Sequence, residues 1–413
     1  MTLWPNMKVG RVARLISGVG FPHQYQGKTS GAYPFLKVSD LASAVSGYHL
    51  VTAQNWVSQT DLASLGARLA PKGAIVFPKV GAAMLKNPRR LVNLPAAMDN
   101  NLMAVVPNSG EPRFWLYALS TIDLGEISAG GVLPYVTEGQ IRDLHIPFPS
   151  VEQQRRIADF LDAETANLDL MAEKRQAQLT LLRQKRFNMV REVLAQGLRG
   201  TAQRPTQLGW LPRIPADWEL TPLRYLVECL DGQRVPLSAQ ERSTRQGPYP
   251  YHGASRVVDH VDDYLFDEPL VLLGEDGAQL ANPNLEVSFY VEGKIWVNNH
   301  AHVLRPRGID GQLLAEILNV FDRNLYMSGA TREKITQDEM NRILLPVPPD
   351  DQQYELLEWI TDRHQKRERL ESTLLRQLGL LSERRQALIT AAVTGQFDVS
   401  TASGRNVTEG VSA

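Results

Sequence analysis

Two stretches of the chain share one pattern of apolar and polar positions. From Val151 to Gln196 there is neither proline nor glycine, and Leu161, Leu168, Leu182 and Met189 fall at multiples of seven residues. From Asp350 to Thr394 the stretch is proline-free and glycine-poor, and Ile360, Leu374, Leu381 and Leu388 keep the same spacing. A seven-residue apolar period sustained over that length predicts a long helix with a seam that needs a partner helix. At 1.5 Å per residue each helix spans about 65 Å, longer than a small domain is wide. Arg175 and Arg367 each interrupt a seam where the opposite copy carries Leu374 and Leu168. They read as register devices or as snorkelling stems. Acidic residues gather near the first turns (Glu152, Asp159; Asp350, Asp351, Glu355), which suits the helix macrodipole.

The two stretches belong to an internal repeat. The segment IPFPSVEQQRRIADFL from Ile146 returns as LPVPPDDQQYELLEWI from Leu345, at an offset of 199 positions. Pro147, Pro149, Gln153 and Gln154 fall on Pro346, Pro348, Gln352 and Gln353; backwards, Gly130 and Thr137 fall on Gly329 and Thr336. A period of this size means two copies of one structural unit. Each copy places short β-branched runs bounded by Gly, Pro and Asn before its helix. GAIVFPKVG, NLMAVVP, PLVLLGEDG and KIWVNN read as strands, FWLYALSTID and QLLAEILNVF as helices. The expected fold is α+β: two mixed α/β domains, residues 1–150 and 219–349, separated by long helices over 151–197 and 350–397. Residues 198–218 form an ordered linker whose Trp210, Leu211, Ile214 and Trp218 must dock, and residues 398–413 are expected to be a disordered tail.

Composition narrows the class. Apolar residues make up 43% and charged residues 22% of the 413, as in ordinary soluble globular proteins, and no run of about eighteen apolar residues occurs. Cys229 is the single cysteine, so no disulfide forms within the chain and no Cys-based zinc site can be assembled; a reducing cytoplasm is expected. The net charge of −1 hides an asymmetry. Residues 1–150 hold 13 Lys and Arg against 8 Asp and Glu, a net of +5; residues 201–349 hold 14 against 20, a net of −6. A basic footprint suits phosphate binding in the first half only.

The connector carries the most specific phrase. Gly209-Trp210-Leu211-Pro212-Arg213-Ile214-Pro215-Ala216-Asp217-Trp218-Glu219, together with the twice-used Pro-x-Pro, Gln-Gln and long helix and the segment YPYHGAS from Tyr249, resembles the specificity subunits of type I restriction-modification systems. The resemblance covers Pro5 to about Phe397. It implies two target recognition domains, each reading one half of a bipartite site in double-stranded DNA, with two antiparallel helices as a ruler and a pseudo-twofold axis matching that of the duplex. It further implies a subunit without chemistry of its own. Two methyltransferase subunits and two restriction-translocation subunits would dock on it, and S-adenosylmethionine, ATP and magnesium would belong to those partners.

Base readout uses Arg or Lys on guanine and Asn or Gln on adenine. In the first domain the KNPRR cluster and the lysine before it supply Lys79, Lys86, Asn87, Arg89 and Arg90; in the second, Tyr251, His252, Arg256, Arg332 and Lys334 are the candidates. Each has a plainer reading as a solvated surface charge. Two rival functions remain: a coiled-coil adaptor that binds no DNA, and a metal-dependent nuclease using Asp276, Glu292 and Lys294. His300 and His302 could pair on one strand face as metal ligands, but partly buried, hydrogen-bonded histidines are the plainer expectation. Neither a phosphate-binding Gly-x-x-x-x-Gly-Lys-Ser/Thr loop nor an Asn/Asp-Pro-Pro-aromatic methyltransferase signature occurs.

Overall fold

A computed structural model describes residues 4–42, 49–50, 53–130, 133–254, 256–282, 284–328, 334–396 and 399. The chain divides into two units: residues 1–175 with 376–413, and residues 176–375. Each unit therefore contains one domain and a part of both long helices, Val151–Gln196 and Asp350–Thr394.

In the first unit a five-stranded sheet runs in the order Ala13–Ser17, Leu102–Pro107, Ile75–Pro78, Arg90–Val92, His49–Leu50, antiparallel except at the last pair. A three-stranded sheet, Asn55–Val57, Tyr33–Leu36 and Ala97–Met98, packs its own small core of Phe35, Val57 and Leu62. The strand Asn6–Lys8 pairs antiparallel with His145–Pro147, so the domain is closed by its own two ends. Helix Pro112–Ser120 starts with proline, whose missing N–H costs nothing in the first turn, and buries Phe114, Trp115 and Leu116.

The second unit repeats the plan. Its main sheet runs Val227–Cys229, Ala301–Pro306, Leu270–Gly274, Ser288–Val291, all antiparallel, and a second sheet holds Arg256–Val261, Tyr249–Gly253, Lys294–Val297 and Phe266–Asp267. Strand Glu219–Pro222 pairs with Leu344–Val347, the counterpart of the closing pair in the first unit. Helix Gly311–Leu318 lies 199 positions after Pro112–Ser120. The strands and helices expected from the six apolar segments all form where expected. Residues 203–215 fold as a hairpin, Gln203–Leu208 with Leu211–Pro215, and Leu211, Ile214 and Trp218 are buried in the core of the second unit. Most of the expected tail, residues 398–413, lies outside the described residues.

The seam is real within each unit. In the first, Leu161 and Leu168 share a core with Leu388 and Ile389, and half-buried Leu381 packs against it. Asp169 there accepts from Arg385 at 2.9 Å. In the second, Phe187, Val190 and Leu194 share a core with Leu356 and Ile360, with Met189 packed against it. Arg183 pairs with Glu371 at 2.7 Å, and Arg199 with Asp351 at 2.6 Å, so one number rises as the other falls and the helices run antiparallel. Leu374 is buried, Leu182 only half so, and Leu179 is a fully buried position that the strict seven-residue count passed over. Both helices end at a glycine in the left-handed region, Gly197 (φ +67°) and Gly395 (φ +75°), where a side chain would be strained.

The repeated glutamines explain their own recurrence. Gln154 Oε1 accepts from the N–H of Glu111 at 2.9 Å, and its Nε2 donates to the Pro149 carbonyl at 3.0 Å. Gln353 Oε1 accepts from the N–H of Asp310 at 2.9 Å, and its Nε2 donates to the Pro348 carbonyl at 3.3 Å. Glu111 and Asp310 are the N-caps of the equivalent shorter helices. In each unit one buried amide thus bolts the first turn of a long helix to the start of the helix lying on the sheet.

Candidate nucleic-acid interface

The KNPRR segment follows the short helix Ala82–Leu85, and the chain reverses at Asn87 with φ +54°. Asparagine tolerates that conformation better than most residues, and its side chain is used up in the turn: Nδ2 donates to the Ile122 carbonyl at 2.9 Å and Oδ1 accepts from Leu124 N–H at 3.2 Å. Arg89 then points inward. It is buried over the Phe77 ring at 5.0 Å and donates to the Ile122 carbonyl at 3.3 Å. Burial pushes its pKa down to about 10, against the opposing attraction of Asp123. The expectation that Asn87 and Arg89 read DNA from an exposed loop is therefore corrected: the turn that makes the loop consumes both. Arg90 is half-buried and donates to the Arg89 carbonyl. Lys86 is exposed and Lys79 half-exposed, and neither forms an ion pair among the described residues.

In the second unit Tyr251 and His252 are also buried, because they sit on a strand between two neighbours and face inward. The Tyr251 hydroxyl meets the backbone of Leu237, accepting from its N–H at 2.9 Å, and Arg242 lies over the ring. His252 stacks on Phe289, and burial, aided by nearby His260, pushes its pKa down to about 4. Both are core residues, which corrects their expected role as contacts. Arg256 is exposed but pairs with Glu286, which also holds Arg186 of the first long helix. Lys334 is exposed, 3.9 Å from Glu275. Arg332 lies outside the described residues.

Around these positions the second domain neutralises most of its own cations. Arg305 is held by Glu228 (2.8 Å) and Glu268 (2.6 Å), Arg307 by Glu228 (2.6 Å), Arg242 by Asp259 (3.0 Å), Arg245 by Asp262 (2.9 Å), and Arg234 by Glu275 (3.1 Å). Hydrogen bonds from Arg307 and Arg305 draw Glu228 below the usual carboxylate range. In the first domain Arg11, Arg14, Lys37, Arg68, Lys72, Lys79 and Lys86 form no ion pair among the described residues.

The histidine pair and the carboxylates behave as structural groups. His302 is buried, with Nδ1 2.6 Å from Asp231 and Nε2 donating to the Ile335 carbonyl at 2.9 Å. His300 meets Asp276 at 3.0 Å. Glu292 accepts from the Tyr290 hydroxyl, and Lys294 lies over the rings of Tyr249 and Tyr264. Asp276, Glu292 and Lys294 thus have three separate sets of partners. Among the described residues no group of three or more His, Cys, Asp or Glu is arranged to hold a metal ion.

Sequence reasoning passed over one feature. Ala129 and Tyr135 exchange both backbone hydrogen bonds (2.9 and 3.0 Å), and Ser328 and Lys334 do the same (2.9 and 2.9 Å), again 199 positions apart. Val136 N–H donates to the Lys79 carbonyl, and Ile335 N–H to the Glu275 carbonyl, so each closed loop is tied to the strand that ends beside it. A capping box follows each loop, at Thr137 and at Thr336. The signal was present in the repeat, where Gly130 and Gly329 align.

Comparison with known proteins gives the same picture. The model of the type I restriction modification DNA specificity domain matches twice, over residues 1–181 and 215–378. Type I restriction enzyme specificity subunits from Haemophilus influenzae and Escherichia coli are 30% and 20% identical over 34% and 40% of this chain. The matches span 35% and 41% of those relatives' own lengths. One chain solved in a study of the assembly and conformational transition of a type I restriction-modification system shares the fold. Its TM-score is 0.69 at 16% identity, over 96% of this chain and 99% of that one. With two domain matches that together cover most of its length, the chain belongs to the type I restriction modification DNA specificity domain family.

Proposed function

We propose that this chain is the non-catalytic DNA-recognition subunit of a type I restriction-modification complex in the cytoplasm. Its two domains each read one half of a bipartite site, and the paired helices set the gap between the halves. The observation that carries this reading is the duplicated frame with unlike surfaces: the same strands, helix joint and closed loop recur at an offset of 199, while the exposed residues around them differ. Two copies of one scaffold suit a pseudo-twofold duplex, and unlike surfaces suit unlike half-sites.

The helices also support docking of two copies of one partner. Exposed apolar residues recur at matching repeat positions, Met171 with Leu370 and Leu181 with Leu380. Met171 and Leu380 belong to the first unit, Leu181 and Leu370 to the second. Each unit therefore offers an equivalent apolar patch, fit for one methyltransferase subunit, with the restriction-translocation subunits joining the larger assembly. S-adenosylmethionine, ATP and magnesium would be held by those subunits. Lys79 and Lys86 in the first domain, and Arg256 and Lys334 in the second, remain the proposed contacts from the original set.

Inserting four residues, about 6 Å, into both helices at matched positions tests the ruler. Methylation mapping of the assembled complex should show a spacer longer by about two base pairs, at 3.4 Å per base pair, with both half-sites unchanged. An unchanged spacer would remove the ruler from the account. Absence of any site-specific methylation or binding by the unaltered complex would favour the adaptor.

A further inference from the structure

Beside the closing residues of the first domain's loop lie large apolar side chains that are exposed among the described residues. Leu133 is 61% exposed, Tyr135 42% and nearby Leu85 52%. The Leu133 side chain lies over Gly81, whose N–H donates to the Pro134 carbonyl at 2.8 Å, and Leu85 ends the short helix that Gly81 caps. Val80 bridges Tyr135 in the backbone, so the strand end at Lys79 and the loop move as one piece. Residues held this firmly have little conformational freedom left to lose on binding, which favours a role in recognition. Lys79 directly precedes Val80 and Lys86 directly follows Leu85, and neither lysine forms an ion pair among the described residues. Exposed apolar side chains with unpaired cations next to them in the chain match a polyanion whose interior is apolar and whose outer edge is phosphate, which is the chemistry of duplex DNA. In the second domain the position of Tyr135 is taken by Lys334, on a loop closed by the same pair of hydrogen bonds.

We propose that Leu133 and Tyr135 are specificity-determining residues that make non-polar contact with bases in the half-site of the first domain, while Lys79 and Lys86 hold the flanking phosphates. Tyr135 and Lys334, each joined by the same pair of backbone hydrogen bonds to Ala129 and Ser328, are then equivalent positions with exchanged chemistry, one apolar and one cationic. This inference rests on the DNA-reading function proposed above. Non-polar base contact releases no counterions, so it contributes affinity without salt dependence, whereas each lysine on a phosphate contributes to the slope.

The test uses the full chain assembled with its methyltransferase partner and a duplex bearing the site found by methylation mapping. Leu133→Ala and Tyr135→Ala should each weaken specific binding about tenfold with an unchanged salt slope, and should relax the first half-site alone. Tyr135→Phe, which keeps the ring, should bind as the unaltered chain does. Lys79→Ala and Lys86→Ala should weaken binding to all sequences alike and reduce the slope by about one each. Unchanged affinity and an unchanged first half-site in both alanine variants would overturn the inference while leaving the function intact. Failure of the unaltered complex to bind the duplex specifically would overturn the function and this inference with it. Because Leu133 is largely exposed, its variant does not endanger folding, and retention of the second half-site confirms an intact chain.

Discussion

The two domains share a frame and differ in how they treat charge. In the first, seven lysines and arginines have no acidic partner among the described residues; in the second, Arg234, Arg242, Arg245, Arg305 and Arg307 are each held by a carboxylate. The difference teaches that net charge is a poor guide to a binding face. The −6 of the second domain is the excess of its 20 carboxylates over its 14 cations, beyond those that pair with arginine. The more exposed of these pairs, such as Arg307 with Glu228, are weak, so exchanging their carboxylate for a phosphate costs little. On the proposed function, the second domain would bind DNA by exchange of partners and the first by direct capture.

Acid separates the domains most. Burial holds His252 neutral, with its pKa pushed down to about 4, whereas in the unfolded chain the ring takes up a proton near 6.5. Between those values the unfolded state binds more protons, so the stability this group contributes above pH 6.5 is lost as the pH falls toward 4. The loss reaches about 3 kcal/mol. Among its described residues the first domain has no buried histidine. Hydrogen exchange between pH 7 and 4 should show the sheet around Tyr249–Gly253 opening first, and His252→Phe should flatten that dependence. Equal acid sensitivity in the sheet containing Ile75–Pro78 would break the contrast.

The glutamine joints test the shared part of the frame. Gln154→Ala and Gln353→Ala each strip a partner from an N-cap N–H and from a buried proline carbonyl, at a cost of about 1–3 kcal/mol. Denaturant melts should show similar losses for the two variants; a loss in one alone would mean that the repeat is similar in sequence but not in mechanics. The smallest effect is expected from Asp351→Asn, which weakens the exposed pair with Arg199 only slightly, a loss that should vanish in high salt.

Much of this frame is legible in the sequence because it is periodic. The helix seam shows in Leu161, Leu168, Ile360 and Leu388, and the strands show in runs such as GAIVFP, since buried faces impose a repeat on the residues that form them. The proposed contact residues follow no period. Nothing local to KNPRR reveals that Asn87 turns back on Ile122 and Leu124 and carries Arg89 inward, because the deciding partners lie more than 30 residues away. Likewise YPYHG looks like a loop phrase rich in polar groups, yet Tyr251 and His252 lie inside because a neighbouring strand runs along each side of them. The closed loops could have been found by carrying the repeat through Gly130 and Gly329 to the residues that follow.

The most direct test exchanges one reader for another. Residues 1–150 are replaced by the corresponding residues of a relative with a different site, and the methylated sequence of the assembled complex is mapped. One half-site should change to that of the relative, while the other half and the spacer stay as they were. A change in both halves, or in the spacer, would contradict two independent readers on a fixed ruler.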